Sequence, residues 1–374
     1  MTKKRVGIIT IHKIRNCGST LQALSLQNYI SLLGYDTELI DYKYPNAFHK
    51  RKIFYCILKD FYFFLRAIIF FFKYNGDWGK KNRKFWMKYY KLSPKYVSRK
   101  KIFSAPPLYD IYVVGSDQVW NTDYTYGDDV FLCSFAPSAS KKISYASSVG
   151  HENIPEEYES SFRNYLTSFS NISIRDNKCK SYLEKLLDRN ILTVCDPVFL
   201  TPSDFYNTIL QNSKVKVPKN YILVYLLNYM FEPFPDVCEI VDLIREKYQL
   251  PIVYMFGTHT QSKMVSADFY VPIPSVEDFL FLIKNAKFII TSSFHGTAFS
   301  IIFRKQFYSV VSRNSGDYRI SDLLKLVNLS ERAIEYNCKL DMQNMSNIEW
   351  DNKDADILSY VNESKKYLRE SLGE

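Results

Sequence analysis

A histidine, several hydroxyl residues and a glycine stand together in the run TSSFHGT, residues 291–297. An apolar stretch at 288–290 precedes this run and an amphipathic stretch at 297–303 follows it, which is typical of a strand-to-helix junction. A helix N-terminus presents N–H groups and a positive dipole end, and it therefore binds anions. A single histidine is more often structural, but this placement predicts a catalytic role for His295. The residues predicted to line the anion site are Ser292, Ser293, Gly296 and Thr297.

Two further junctions carry polar residues after a predicted strand. In NCGST, residues 16–20, Gly18 permits a tight turn and Ser19 can cap a helix, so substrate contact and a plain capped turn are about equally consistent with the sequence. In GSDQVWN, residues 115–121, Gly115 and Ser116 would contact substrate, and Asp117 is placed to act as a base or to bind a hydroxyl. A turn cap is an equally good interpretation of Asp117. Neither run is GxGxxG, so the dinucleotide fingerprint is absent.

A fourth junction, SIRD at 173–176, places Arg175 at a predicted strand end. There a guanidinium can bind phosphate or carboxylate with two parallel hydrogen bonds. Pairing of Arg175 with Asp176 or another acid is the alternative, and without the other junctions it is slightly favoured.

The elements that position these junctions read as alternating strands and helices. In the first half, we predict strands at 5–11, 36–42, 110–114, 142–147, 171–174 and 191–195, and helices at 20–33, 79–91, 156–168 and 177–187. In the second half, we predict strands at 221–227, 251–256, 269–272, 287–291 and 307–311, and helices at 236–247, 275–285, 296–303, 319–327 and 353–371. This order is typical of the α/β class with two Rossmann-like domains built on parallel sheets. Two such halves imply a cleft, the usual place for a substrate site.

The predicted domains are an N-terminal one over 1–200, which includes a helical insertion at 43–101, and a C-terminal one over 219–330 that holds the donor or anion site. A polar linker at 201–218 would join them, and a helical tail at 331–374 would follow. The seven cysteines are dispersed and show no zinc spacing, as expected of reduced thiols in a cytoplasmic protein. Only six apolar-type residues follow Arg5 before His12, too few for a signal-peptide core, so we do not expect a signal peptide. No metal and no cofactor is expected.

Together the four junctions resemble the polysaccharide pyruvyl transferase family over roughly residues 5–330. The resemblance rests on GIITIHKIRNCGSTLQALSLQNYI, YVVGSDQVWN, SIRD with CDPVF, TSSFHGTAFSIIFRKQF and YRISDLL. It implies a glycosyltransferase-B-like fold and transfer of the enolpyruvyl unit of phosphoenolpyruvate (PEP) to two hydroxyls of a sugar. The product is a cyclic pyruvate ketal, in a bacterial capsule, an exopolysaccharide or a lipid-linked precursor.

The resemblance implies that His295, Arg175 and Arg319 hold PEP. Addition of a sugar hydroxyl at C2 of PEP requires protonation of C3, so we expect His295 to act as the acid or the phosphate ligand and Asp117 as the base. The sequence departs from the family at Ser293, where the family carries arginine. Arg304, Arg313 and Arg319 are the cations that could replace it. Two other functions stay open: a sugar-nucleotide-dependent glycosyltransferase on the same plan, and a non-catalytic accessory of glycan assembly.

The net charge of +10 is unevenly distributed. Residues 43–101 hold 17 Lys and Arg against two acids, so the remainder is net acidic by about 5. The insertion could pack its aromatic face on the first domain, or it could dock on an anionic membrane face. We do not expect nucleic-acid binding, because no recognised module is present. The longest uninterrupted apolar run, 67–72, is six residues, far below the roughly 20 that cross a bilayer.

Overall fold

The computed structural model describes residues 3–45, 79–227, 233, 236–256, 265–272, 274–312, 318–336 and 346–374. Every strand pairing among these residues is parallel. The predicted α/β class is confirmed. The chain divides into two units. The first comprises Met1–Ile14, Ser19–Leu200 and Glu363–Glu374; the second comprises Arg15–Gly18 and Thr201–Asn362.

The first unit has a four-stranded sheet in the order β2-β1-β3-β4. Its strands are β1 (Arg5–Ile9), β2 (Asp36–Leu39), β3 (Ile111–Val114) and β4 (Lys141–Ser144), and a separate pair is β5 (Ser173–Ile174) with β6 (Leu192–Thr193). Strands β1 and β3 are almost entirely apolar because a parallel sheet is covered on both faces. The helices are Cys17–Leu32, whose first two residues belong to the second unit, and Arg99–Ser104, Thr122–Thr125, Glu156–Leu166 and Lys180–Leu187. There are 3-10 turns at Asp129–Leu132, Asn177–Cys179 and Pro197–Phe199.

The second unit has a six-stranded sheet in the order β12-β11-β10-β7-β8-β9. Its strands are β7 (Ile222–Leu226), β8 (Ile252–Phe256), β9 (Phe269–Val271), β10 (Phe288–Thr291), β11 (Gln306–Val311) and β12 (Ala333–Glu335). The central strands β7 and β10 are fully buried. The helices are Ser203–Leu210, Asp236–Tyr248, Val276–Asn285, Phe294–Ile302 and Arg319–Leu326, with 3-10 turns at Ser330–Arg332 and Trp350–Asn352.

The predicted linker 201–218 is not irregular throughout, because it contains the helix Ser203–Leu210. Tyr206 and Ile209 are buried on one face of this helix, and the Tyr206 ring lies 5.0 Å from the Phe299 ring. The polar composition around two prolines hid this i, i+3 pair of apolar residues. The predicted tail also differs, since β12 extends the second sheet and pairs with β11.

Part of the basic insertion, residues 46–78, lies outside the described residues. The predicted basic helix at 79–91 is confirmed, with residues 79–89 helical. Its Phe85 and the neighbouring Tyr90 are buried, whereas the side chains exposed to solvent include those of Lys80, Lys81, Arg83, Lys84 and Lys88. Over this described stretch the insertion packs its aromatic residues inward and directs its charges outward. None of the helices within the described ranges is both long and apolar enough to cross a membrane.

The C-terminal helix Asp354–Leu372 contributes to both units. In the second unit, Asp354 accepts hydrogen bonds from the Arg304 guanidinium at 2.8 Å. In the first unit, the Ser364 hydroxyl accepts from the backbone N–H of Cys195 at 2.8 Å, and the Tyr367 hydroxyl donates to the Ser144 carbonyl at 2.9 Å. The last turns of the chain therefore complete a unit whose other residues lie before position 201.

The substitution Tyr367→Ala should lower the free energy of unfolding by about 3–5 kcal/mol, because it removes a buried aromatic ring and one of the two side-chain hydrogen bonds that the Ser144 carbonyl accepts, the other coming from the Ser173 hydroxyl. The measurement is chemical denaturation. The matched control is Leu358→Ala on the same helix, where the side chain is 57% exposed and the expected change is below ~0.5 kcal/mol. Equal effects of the two substitutions would contradict the assignment of this helix face to the core.

Candidate active site

His295 is the second residue of the helix Phe294–Ile302, which follows strand β10 in the second unit. The N-cap is Ser293, whose backbone is extended and whose hydroxyl accepts from the Gly296 N–H at 3.2 Å. His295 lies in the first turn of this helix. It is 7% exposed, so its imidazole has little contact with water. This places a titratable ring at the positive end of a helix dipole, as predicted.

Gly18 lies against the His295 ring within the same unit. A β-carbon added to Gly18 would fall 2.1 Å from Nδ1 and 2.2 Å from Cγ of His295, far inside van der Waals contact. Gly18 is inside a helix and does not have a positive φ, so it does not form the tight turn that its residue type permits. A glycine is required at position 18 because the His295 ring leaves no room for a β-carbon. The turn before the helix is made by Asn16, whose side-chain oxygen accepts from the Gly18 N–H at 2.8 Å.

The other polar side chains of the 291–297 junction form hydrogen bonds within the fold. The Ser292 hydroxyl bonds both the N–H and the carbonyl of Leu227, at 2.7 and 2.8 Å. The Thr297 hydroxyl bonds the Ser309 hydroxyl at 2.7 Å, and a β-carbon on Gly296 would meet Thr291 Oγ1 at 2.4 Å. These predicted substrate contacts therefore shape the junction, and His295 is its side chain suited to acid–base chemistry.

Cys17, the first residue of the helix that contains Gly18, is a buried thiol. Burial raises its pKa, and the nearby Asp278 and Glu277 carboxylates raise it further. Because the thiolate is the nucleophilic form, Cys17 is not a candidate nucleophile.

In the first unit, Asp117 has a left-handed backbone with a φ of 71°. Its carboxylate accepts a short hydrogen bond from the Ser19 hydroxyl and one from the Gln118 N–H at 2.9 Å. Such a conformation costs of the order of 1–3 kcal/mol, although aspartate tolerates it better than most residues. A carboxylate hydrogen-bonded to a serine hydroxyl is an arrangement that can hold and pass a proton.

Arg175, also in the first unit, is buried in an ion-pair network. Its Nη1 donates to Asp196 Oδ2 at 2.8 Å and its Nε to Asp176 Oδ1 at 3.3 Å. The Ser116 hydroxyl donates to the same Asp196 oxygen at 3.1 Å, and the Ser148 hydroxyl forms a short bond to Asp176. The residue is 4% exposed. The structure thus gives Arg175 the paired arrangement that was the alternative to direct substrate binding.

Asp196 was not singled out from the sequence, although it directly follows the run ILTVC that predicts a strand. Its second oxygen, Oδ1, caps the turn Pro197–Phe199 by accepting from the Val198 N–H at 3.1 Å. The signal was an aspartate before a proline at a strand end, which is a typical cap. Gly115 is constrained by Thr10, whose Cβ would lie 2.9 Å from an added β-carbon.

The three arginines expected to compensate for Ser293 have different surroundings. Arg304 pairs with Asp354, and Arg313 lies outside the described residues. Arg319 is partly exposed at the first position of the helix Arg319–Leu326.

The sequence matches the model of the polysaccharide pyruvyl transferase family over residues 16–315. Among curated proteins, none matches this chain. Similar solved structures include a putative UDP-N-acetylglucosamine 2-epimerase from Listeria monocytogenes (12% identity, 99% of this chain and 91% of the other covered, TM-score 0.49). Others are UDP-GlcNAc 2-epimerase from Methanocaldococcus jannaschii (12%, 96% and 93%, 0.49) and UGT89C1 from Arabidopsis thaliana with UDP-L-rhamnose (9%, 99% and 94%, 0.47).

The substitution Gly18→Ala should destabilise the protein by about 1–3 kcal/mol and change the environment of the His295 ring. The alanine gains helix propensity of up to ~1 kcal/mol, but the 2.1 Å approach to Nδ1 outweighs that gain. Denaturation curves and the imidazole NMR signals, assigned by comparison with His295→Gln, measure both effects. The control is Gly79→Ala, where no atom of the described residues lies within 4 Å of the added carbon. An unchanged His295 signal in Gly18→Ala would contradict the close packing.

Proposed function

The chain belongs to the polysaccharide pyruvyl transferase family, and from this membership we propose that it transfers the enolpyruvyl unit of PEP to two hydroxyls of one sugar. The acceptor would be part of a bacterial capsule or exopolysaccharide, or of its lipid-linked precursor on the cytoplasmic side. The single observation that supports this proposal most directly is the position of His295 in the first helical turn after β10, within the matched range.

The reaction forms two C–O bonds and breaks one. The first sugar hydroxyl adds to C2 of PEP while C3 takes up a proton, and the second displaces phosphate from C2. The products are a ketal carrying a methyl and a carboxylate group, and inorganic phosphate. Protonation of C3 develops positive charge at C2, so the site must supply a proton and bind the anionic phosphate.

His295 is the proposed acid and phosphate-binding side chain. Its ring lies at the N-terminal end of a nine-residue helix, where the dipole favours a negatively charged ligand. Gly18 fixes one side of the ring at van der Waals distance, so the orientation of the imidazole is set before any ligand binds. A rigid donor placed where charge develops is an effective means of transition-state stabilisation.

Asp117 is the proposed base for a sugar hydroxyl. The hydrogen bond from Ser19 gives it a hydroxyl through which a proton can be exchanged. Because Arg175 is committed to Asp196 and Asp176, we assign it a positioning role. Arg319, being partly exposed, is the cation that we propose for the donor.

The exposed lysines and arginines of the 79–89 helix support a second proposal, peripheral contact with an anionic membrane face. Met87 stands among them and is 76% exposed. Each cation near such a surface contributes about 1 kcal/mol of binding. Contact of this kind would bring the protein to a lipid-linked acceptor.

Thermal-shift measurements with PEP, UDP, GDP and UDP-sugars should show stabilisation by PEP alone, because a bound ligand stabilises the folded state.

The variant His295→Ala should retain the fold, and its rate of phosphate release from PEP with a glycan acceptor should fall by about 10²–10⁴-fold. The circular dichroism of the variant controls for folding. Stabilisation by nucleotides only would favour the glycosyltransferase alternative, and near-normal turnover by His295→Ala would make that residue structural.

Co-sedimentation with liposomes should show binding to vesicles that contain acidic lipid, and this binding should fall as salt is raised. Replacement of Lys80, Lys81, Arg83, Lys84 and Lys88 by glutamine should weaken it. Neutral phosphatidylcholine vesicles are the control. If acidic vesicles are not bound at low salt, the membrane proposal is wrong, whereas the proposed reaction is unaffected.

A further inference from the structure

A cavity of ≈ 680 Å³ lies in the first unit, apart from the residues assigned to the reaction. It is formed by the segments after β2 and β3 and by the start of the helix Arg99–Ser104. This volume falls in the range of roughly 300–1,000 Å³ that is usual for small-molecule sites. The side chains that matter for its chemistry are Tyr42, Tyr44, Arg99, Tyr126, Asp128 and Asp129.

Two carboxylates in the cavity wall are held in fixed orientations. Asp129 receives a pair of hydrogen bonds from the Arg99 guanidinium, both at 2.7 Å. Asp128 accepts from the Tyr42 hydroxyl at 2.6 Å and from the Val130 N–H at 3.2 Å. Both residues remain partly exposed. A carboxylate has about four acceptor positions, so each retains capacity for hydroxyl groups of a ligand.

An exposed aromatic ring stands at the same cavity. Tyr126 is 42% exposed, and its backbone is left-handed with a φ of 54°. The next residue, Gly127, also has a positive φ, and a β-carbon there would lie 2.3 Å from the Tyr158 ring. Two consecutive residues with positive φ therefore define the turn that carries Tyr126. This turn holds a large aromatic ring in an exposed position.

The charges of the lining side chains indicate which ligand fits. Lys43 and Arg99 balance Asp128 and Asp129, so the lining carries no net formal charge and does not favour a phosphorylated donor. A neutral sugar matches this lining in two ways. Its neighbouring hydroxyls can donate hydrogen bonds to the fixed carboxylates, and its apolar face can stack on the aromatic ring.

We infer that this cavity is a saccharide subsite that holds a neutral sugar unit of the acceptor glycan. The assignment of its ligand to an acceptor rests on the proposed function, whereas binding of a saccharide does not require PEP. Tyr126 would stack on the sugar ring, and Asp128 and Asp129 would accept hydrogen bonds from its hydroxyls.

Saturation-transfer NMR on the full chain, with lactose, cellobiose, chitobiose and mannobiose as probes, tests the subsite. At least one disaccharide should bind, and Tyr126→Ala should weaken its affinity by about two- to tenfold. Asp129→Asn should also weaken it. The control is Phe269→Ala, which truncates an aromatic residue of similar exposure in the second unit and should leave binding unchanged.

Binding of none of the four disaccharides, or equal binding by Tyr126→Ala and Phe269→Ala, would overturn the subsite. Either result leaves the response of the protein to PEP unaffected, so the proposed reaction would stand. Conversely, Tyr126-dependent saccharide binding without stabilisation by PEP would support the subsite and contradict the proposed donor.

Discussion

The buried ion pair between Arg175 and Asp196 organises the edge of the first sheet at which its predicted functional residues lie. It joins the residue after β5 to the turn Pro197–Phe199, and the Ser116 hydroxyl ties the end of β3 to the same carboxylate. Charges removed from water at this depth are tolerated only when each is paired and hydrogen-bonded. Loss of any one member leaves another polar group uncompensated. The position of Asp117, which directly follows Ser116, therefore depends on this network.

The two consecutive residues Gly18 and Ser19 illustrate how closely the candidate site restricts its sequence. Gly18 has no room for a side chain because His295 is in contact with it. Ser19 needs a hydroxyl because it donates a hydrogen bond to the Asp117 carboxylate. Glycine and serine are both poor helix formers, so the helix to which both residues belong does not explain their presence. Their contacts with distant residues explain it, and these contacts outweigh the loss of helix propensity.

Most strands and helices were predictable because a parallel sheet covered on both faces leaves apolar runs such as those of β7 and β10. The helix Ser203–Leu210 was missed because its buried face amounts to little more than Tyr206 and Ile209. At the site, the placement of His295 at a helix N-terminus followed from sequence order. The pairing of Arg175 with Asp196 and the contact of Gly18 with His295 did not, because residues 21 and 277 positions apart are brought together only by tertiary structure. A sequence shows which side chains could carry out chemistry, but it does not show which residues those side chains contact in the folded protein.

The C-terminal helix has a consequence for the order in which the protein is made. Domains generally fold as they leave the ribosome, the N-terminal one first. Here Ser364 and Tyr367 supply hydrogen bonds to Cys195 and Ser144 of the first unit. These residues are among the last to be synthesised, so the nascent first unit must wait, with part of its core uncovered, until translation of the second is complete. Chaperone binding during synthesis would be concentrated on that interval.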